Sequence, residues 1–580
     1  MKSRVMKTVS LSITAILLLQ ALPLATAGDH RISPDLKGSQ GSVKVLVQYR
    51  SAPGQAHTDR IAKRKGKVSQ VFAPTQSLTA DVPADQLEDL SEDQDVLYVS
   101  ADRPLAANMT ISGPAVGTLT AMLQGVSGSG VTVAVIDSGV NEHQDLAGRI
   151  VYAESFIGTL GQARKAVADD YGHGTIVAGI VAGSGAAAGI LPTVRGIAPG
   201  VNIVSLKALD AKGKGTDSSV IAAINRAIQL KNTYKIRVIN LSLGRPIVES
   251  FRTDPLCRAV ESAWRAGLVV VVAAGNGGRD NTYANQGYGT IQSPANDPLV
   301  ITVGAMRNMG TLTRSDDLIA TYSSKGPSLI DHIVKPDLVA PGNLIVAAAP
   351  GTASALGLEL PANFVPQNLY KFGGDPAVTK DYFRLSGTSL ASPMVSGAAA
   401  LLLGREPGLT PDQIKARLMK TASKTYRLTA LGCDPVTGQT YTAIEDVFAM
   451  GAGYLDITAA LKNTDLAPGL AFSPKAVYDA KSKTVRITGS SSVIWGDSVI
   501  WGDSVIWGDS VIWGDSVIWA DGLKTVSGVS VIWGDRSPWS DPATAGFSVI
   551  WADKLVKSDS VIWGDATVSA ASAIAGRGEK

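Results

Sequence analysis

The spacing of apolar residues changes character along the chain. Between residues 43 and 103 the run Val43-Lys44-Val45-Leu46-Val47-Gln48-Tyr49 alternates with the period of a strand, and Leu87 and Leu90 are spaced as on a short helix. Val96-Leu97-Tyr98-Val99 offers a second strand, and together these predict a small α+β unit. From Val131 the rhythm becomes one of short apolar strands, expected over 131–137, 203–208, 238–243, 268–274 and 300–305, separated by helical segments. One segment, 218–230, gathers Val220, Ile221, Ile224, Ile228 and Leu230 into an apolar face; another, 256–266, carries Val260 and Trp264 a helical turn apart. This alternation predicts an α/β fold with a parallel sheet and helices on both faces. Two further helices are expected: 388–403, whose Ala, Gly and Ser content allows close approach to backbone, and 411–421, capped by Thr410 with Pro411 at its start.

Beyond a boundary expected near residue 465, both rhythms give way to a repeat. Ser-Val-Ile-Trp recurs at Ser492, Ser498, Ser504, Ser510, Ser516, Ser530, Ser548 and Ser560, each copy followed by Gly-Asp or Ala-Asp. These copies hold eight of the ten tryptophans, so 492–565 is a repeat region and not part of the sheet. Gly-Asp suits the centre of a type II′ turn in a meander, whereas the even period suits stacked or continuous strands with each side chain on a fixed face. Either form is β-rich, and a disordered low-complexity tail is the alternative. The region is expected to dock on a surface or partner and to be dispensable for chemistry, so that truncation after residue 465 spares activity.

Composition narrows the class. With 580 residues, 45% of them apolar and 18% charged, the chain is globular with several domains, which excludes disordered, collagen-like and coiled-coil readings. Lys plus Arg at 53 against Asp plus Glu at 50 gives a net charge of +3, too balanced for an electrostatic grip on nucleic acid. At the N-terminus Lys2, Arg4 and Lys7 precede an apolar stretch over 9–22, then Pro23 and Ala25-Thr26-Ala27, the layout of a cleaved secretory signal over 1–27. Ser10, Ser12, Thr14 and Gln20 make that stretch a poor membrane anchor. The protein is therefore expected to be secreted or extracellular. Cys257 and Cys433 are either bridged, which would stabilise by roughly 5 kcal/mol, or two buried thiols.

Three motifs carry candidate chemistry. Asp137 ends the first expected strand of the sheet; His173 opens a helix within Gly172-His173-Gly174-Thr175; Ser389 enters another within Gly387-Thr388-Ser389-Leu390-Ala391-Ser392-Pro393. Sites in open α/β sheets form at the carboxyl ends of strands. A serine hydroxyl needs an imidazole to remove its proton, and the imidazole needs a carboxylate to fix its tautomer and stabilise its charge. The glycines flanking His173 suggest a place where substrate backbone approaches. Taken singly, each residue has an ordinary reading as a turn, cap or core residue. The order Asp, His, Ser within one α/β domain is that of the subtilisin triad.

The blocks around Asp137, His173 and Ser389 resemble the active-site signatures of the subtilisin-like serine protease family, and Val271-Val272-Ala273-Ala274-Gly275-Asn276 resembles its oxyanion strand. The resemblance spans about residues 43–463, with the catalytic domain at 112–463. It implies a serine endopeptidase of broad specificity in which Asn276 and the backbone N–H of Ser389 hold the oxyanion. Polypeptide substrate would add as a strand beside Ser242-Leu243-Gly244 and Lys214-Gly215-Thr216. Its leading side chain would enter a pocket between Ser242-Leu243-Gly244 and Ala273-Ala274-Gly275-Asn276, with room for a large apolar group. Arg245 replaces a glycine common in the family; it either favours acidic side chains at the pocket rim or turns to solvent. Ile176 and Leu390 stand where the family commonly has His and Met. No cofactor is required for the chemistry and no metal ligand is assigned. Asp145 resembles one ligand of the family's structural calcium, but the loop Ser184-Gly185-Ala186-Ala187-Ala188-Gly189 is poor in oxygen-bearing side chains, so calcium is left open. The unit over 43–103 resembles the family's inhibitor-like propeptide, an intramolecular inhibitor whose end, residues 100–110, is the first bond cut. The alternative from another class is an exported surface-binding or assembly protein in which the repeat is the functional part.

Overall fold

The computed structural model describes residues 38–488 apart from 73–75, 102–108, 158–166, 190–193, 282–284, 372, 425–428, 435–436 and 480–483. It also describes residues 31–32, 36, 530–532, 548–550, 561–562 and 578–579. The expected signal segment 1–27, most of 100–110 and most of the repeat lie outside these residues. The chain forms two units, residues 1–105 and 106–580.

In the first unit Ser42–Tyr49 is flanked by Ser77–Pro83 and Val96–Ala101, with Lys67–Phe72 outside Ser77–Pro83, all antiparallel. The alternation at Val45, Val47 and Tyr49 puts these side chains into a core with Ile61, Leu78, Val82, Leu87, Leu90 and Val99. The helix Gln55–Lys63 carries little apolar signal, since Ile61 is its buried residue, and the sequence pattern misses it.

The second unit is built on a sheet in the order Ile150–Ser155, Asn202–Lys207, Thr132–Asp137, Ile236–Leu241, Val269–Ala273, Ile301–Arg307. These pairings are parallel, Leu338–Pro341 adds in parallel beside Ile301–Arg307, and Leu318–Ile319 adds antiparallel to it. All of Thr132–Asp137 is buried, as the near-continuous apolar runs of a covered parallel sheet require. The next strand in sequence, Ile150–Ser155, lies on one side of Thr132–Asp137 and Ile236–Leu241 on the other, so the strand order reverses at Thr132–Asp137 and a crevice opens at its carboxyl end. Among the helices, His173–Ala182 packs on Thr388–Arg405 and Asp217–Tyr234 on Pro255–Arg265. Every residue of His173–Ala182 is buried, and so is 388–403; apolar or small residues on all sides make these core helices. The cap at Thr410 forms as expected, accepting from the Gln413 N–H.

The packing continues past residue 465. Ser473 donates to the buried carboxylate of Asp337 at 2.5 Å and accepts from Lys415 Nζ at 2.9 Å, while Lys335 Nζ lies 2.7 Å from the same carboxylate. The hairpin of Lys475–Asp479 and Thr484–Thr488 then buries Ala476 and Val485 against Tyr288, Val334, Val447 and Phe448. A cut after residue 465 would uncover this cluster and remove Ser473 from a buried ionic network, so the expected harmless truncation there does not fit the packing. In the repeat, Ser530–Ile532 and Ser548–Ile550 pair in parallel and in register, and Val561–Ile562 pairs antiparallel with Lys214–Gly215. Cys257 and Cys433 are both free thiols. Among the described residues no helix is long and apolar enough to cross a membrane.

Candidate active site

Asp137 sits at the crevice because it is the last residue of the strand at which the order reverses. Its Oδ1 lies 2.8 Å from His173 Nδ1, and both side chains are fully buried. The same oxygen accepts from Ser138 N–H at 2.8 Å. Ser138 Oγ donates to Asp169 at 2.7 Å, and Asp169 also accepts from Gly172 N–H, Thr175 N–H and Thr175 Oγ1 at 2.7, 2.8 and 2.6 Å. Burial pushes the Asp169 carboxyl above its ordinary range, with hydrogen bonds from Thr175, Ser138 and Gly172 pulling the other way. Asp169 thus fixes the first turn of the His173 helix to the end of the Asp137 strand. Sequence reasoning missed it; an acidic residue four before a candidate histidine was the available signal.

The glycines around His173 serve protein packing. A Cβ at Gly174 would lie 2.0 Å from Gly139 O and 3.1 Å from Asp137 Cβ, so only glycine brings the helix this close to the strand end. Gly172 has φ +104°, and a Cβ there would meet Pro350 and Ser354. The room that both glycines leave is taken up by protein atoms, against the expectation that they clear a path for substrate.

Ser389 is the second residue of Thr388–Arg405, so its backbone N–H belongs to the first helical turn, which has no intrahelical acceptor. Its Oγ is buried with no hydrogen-bond partner among the described residues. Thr388 donates through N–H at 2.9 Å and Oγ1 at 3.2 Å to Asn276 Oδ1, leaving the amide Nδ2 to point elsewhere. Where it points is marked by Gly387: a Cβ built there would lie 3.0 Å from Ser389 Oγ and 3.3 Å from Asn276 Nδ2. The hydroxyl and the amide therefore converge on one small space, kept free by the absence of a side chain at Gly387. Beneath it Ser242 Oγ donates to Ser389 O at 2.8 Å and accepts from Asn240 Nδ2 at 2.9 Å, pinning the helix start. Ile176 and Leu390 are fully buried neighbours of this site.

Comparison with known proteins bears on the same segments. The Subtilase family matches residues 128–451. This chain belongs to the subtilase family. Serine protease AprX of Bacillus subtilis (strain 168) is 35% identical over 370 residues, covering 62% of this chain and 77% of that protein. Extracellular serine proteinase of Thermus sp. (strain Rt41A) is 33% identical over 370 residues, covering 62% and 73%. Subtilisin E of Bacillus subtilis (strain 168) is 32% identical over 424 residues, covering 70% and 93%. The chain is a subtilisin-like serine protease.

The surroundings of the site depart from expectation at two points. The pocket walls at Leu243–Gly244 and Ala274–Gly275 do not enclose an empty slot. A Cβ at Gly244 would lie 2.7 Å from Gln292 Oε1 and one at Gly275 2.9 Å from Gln292 Cδ, so the Gln292 side chain stands between them and takes up room expected for a large apolar group. Arg245 is neither at a rim nor in solvent: it is 6% exposed and pairs with Asp217 and with Asp254, each at 2.9 Å. The buried carboxylate of Asp254 and the partly exposed one of Asp217 neutralise it. The oxygens of Asp145 face protein donors, Ala187 N–H and Tyr382 OH, each at 2.8 Å. Both carboxylate oxygens thus serve as acceptors within the fold, tying Asp145 to the segment at Ala187 and to the strand that carries Tyr382.

Proposed function

We propose that this subtilase cleaves polypeptides through Ser389, His173 and Asp137, with Asn276 as an oxyanion donor. The convergence of Ser389 Oγ and Asn276 Nδ2 on the space at Gly387 supports this assignment most directly, and the Asp137–His173 bond supplies the oriented imidazole it needs. Substrate lies along Lys214–Gly215 and Ser242–Gly244, main chain to main chain, which gives affinity with few side-chain demands and hence broad specificity. Ser389 Oγ attacks the scissile carbonyl as His173 takes its proton, while Asp137 holds the ring by Nδ1 and stabilises the imidazolium. Negative charge develops on the carbonyl oxygen between Asn276 Nδ2 and the Ser389 N–H. His173 returns the proton to the leaving amine, and water then resolves the acyl-enzyme by the same steps.

The chain is made for export as a zymogen in this reading. Residues 1–27 direct secretion, residues 43–103 act as folding template and temporary inhibitor, and cleavage falls near residues 100–112. Ser389→Ala removes the nucleophile and lowers turnover by about 10⁶, the magnitude known for the subtilisin triad serine. The uncut precursor accumulates, and a serine-directed phosphonyl fluoride that labels the parent at Ser389 leaves the variant unlabelled. Normal maturation of Ser389→Ala in a protease-free host would refute self-processing; labelling of the parent at another residue would refute the assignment of Ser389.

A further inference from the structure

Glu579 follows the repeats and is 2% exposed. Its Oε2 accepts from Thr321 N–H at 2.8 Å, Thr321 Oγ1 at 2.6 Å and Arg279 Nη2 at 3.0 Å, and its Oε1 lies 3.4 Å from Arg307 Nη1. Arg307 is 6% exposed, and Glu579 is the carboxylate paired with it among the described residues. The backbone of Glu579 is read as well: its N–H donates to Asn343 Oδ1 at 2.8 Å and its carbonyl accepts from Asn343 Nδ2 at 2.9 Å. The fit is specific in shape. A Cβ at Gly432 would lie 1.9 Å from Glu579 Oε1, and one at Gly578, φ +65°, would lie 2.5 Å from Leu344 Cδ2.

We propose that Arg279, Arg307, Thr321 and Asn343 form a docking site for the Gly578–Glu579 segment, so that the chain is held on the catalytic unit after the repeats as well as before them. Before them the chain is held by the hairpin over 475–488. The ligand class is an extended peptide with glycine before glutamate: glycine supplies the positive φ and the clearance, glutamate the charge, and Asn343 recognises the main chain irrespective of sequence. A desolvated arginine such as Arg307 costs stability unless an anion meets it, so the pocket is built for an occupied state. The pairing of Val561–Ile562 with Lys214–Gly215 is an independent sign that the repeats return to this unit, and it places one copy on the edge assigned to substrate. The site also adjoins the chemistry, since Arg279 follows Asn276 in the same loop and Ser386, against Gly578, precedes Ser389.

The test uses the full chain carrying Ser389→Ala, which prevents self-cleavage, with hydrogen exchange followed by mass spectrometry. Glu579→Gln removes the charge at constant shape; Gly578→Ala keeps the charge and removes the fit. Both are expected to speed exchange across residues 318–324, where the Thr321 amide is bonded to Glu579, by about tenfold or more, while residues 132–137 keep the parent's rate. If either variant leaves exchange at 318–324 within about twofold of the parent, the proposal is overturned, because docking requires charge and fit together. Should Glu579→Gln open the whole unit, adding Arg307→Met removes the orphaned cation and restores protection at 132–137 but not at 318–324; failure of that double variant to do so overturns the proposal as well.

Discussion

Gly387→Ala isolates the space on which the proposed chemistry depends. Gly387 has φ +149° and ψ 160°, a region populated essentially by glycine, so alanine there costs about 1–3 kcal/mol of strain before any contact is counted. Its N–H is bonded to Gly342 O at 2.8 Å, which resists relief by rotation. The new methyl would stand 3.0 Å from Ser389 Oγ and 3.3 Å from Asn276 Nδ2, in the volume assigned to the developing oxyanion. Loss of one side-chain donor to an oxyanion, known from a subtilisin asparagine, costs about 10²–10³ in kcat, or about 2.7–4 kcal/mol. A methyl that excludes the oxygen from the hole removes Asn276 and the Ser389 N–H together, so kcat is expected to fall by about 10³ or more. KM changes little, because the edge at Lys214–Gly215 and Ser242–Gly244 is untouched. The assay is steady-state hydrolysis of a chromogenic peptide by Gly387→Ala, Asn276→Ala and the double variant, with thermal unfolding as a check on folding. Since the methyl has already taken Asn276 out of use, the double variant should lie within about threefold of Gly387→Ala alone. A kcat for folded Gly387→Ala within about tenfold of the parent, or fully multiplicative losses in the double variant, would refute the convergence of the two groups on one oxygen.

Further outcomes follow from the same geometry. Asp169→Asn leaves Ser138, Gly172 and Thr175 donating toward an amide with a single acceptor oxygen, and should destabilise by about 3 kcal/mol and lower kcat more than it alters KM, as seen by calorimetry and peptide kinetics. Gln292→Gly opens the slot between Gly244 and Gly275 and should raise kcat/KM for phenylalanine over alanine at the leading position by about tenfold or more in a peptide series. Burial raises the Asp446 carboxyl to about 6. Because its folded value exceeds the unfolded one, the stabilisation it gives is full below about pH 4 and is lost as pH rises through 6, a change of about 3 kcal/mol. Denaturant unfolding of Ser389→Ala with and without Asp446→Asn should show the parent's advantage shrinking from pH 4 to pH 7; a constant difference would contradict the assignment.

What the sequence made legible, and what it hid, separates along a physical line. The strand at Thr132–Asp137, the helix at Pro411–Thr421 and the residues Asp137, His173, Asn276 and Ser389 stand in local patterns: an apolar run ending in a carboxylate, a capped helix, a glycine-flanked histidine. Such patterns are written over a few neighbouring residues, and period and capping rules read them directly. The edge strand Ile150–Ser155 and the helix Gln55–Lys63 escaped because partial exposure dilutes their apolar signal. The remaining omissions are contacts between distant segments. Gln292 reaches between two glycines, Arg245 finds Asp217 and Asp254, and Glu579 meets Thr321 across a separation of 258 residues. In each case the residue type permits the contact without announcing it, because the partner is chosen by the topology of the sheet. This also explains why the glycines beside His173 were misread: a glycine signals that something comes close, and only the fold says whether that something is substrate or, as at Gly174, the carbonyl of Gly139. The same holds for Glu579, whose buried carboxylate lies between Arg279 and Arg307: no local pattern around residue 579 marks it as anything but a charged residue, and the partners that hold it are supplied by distant loops of the catalytic unit.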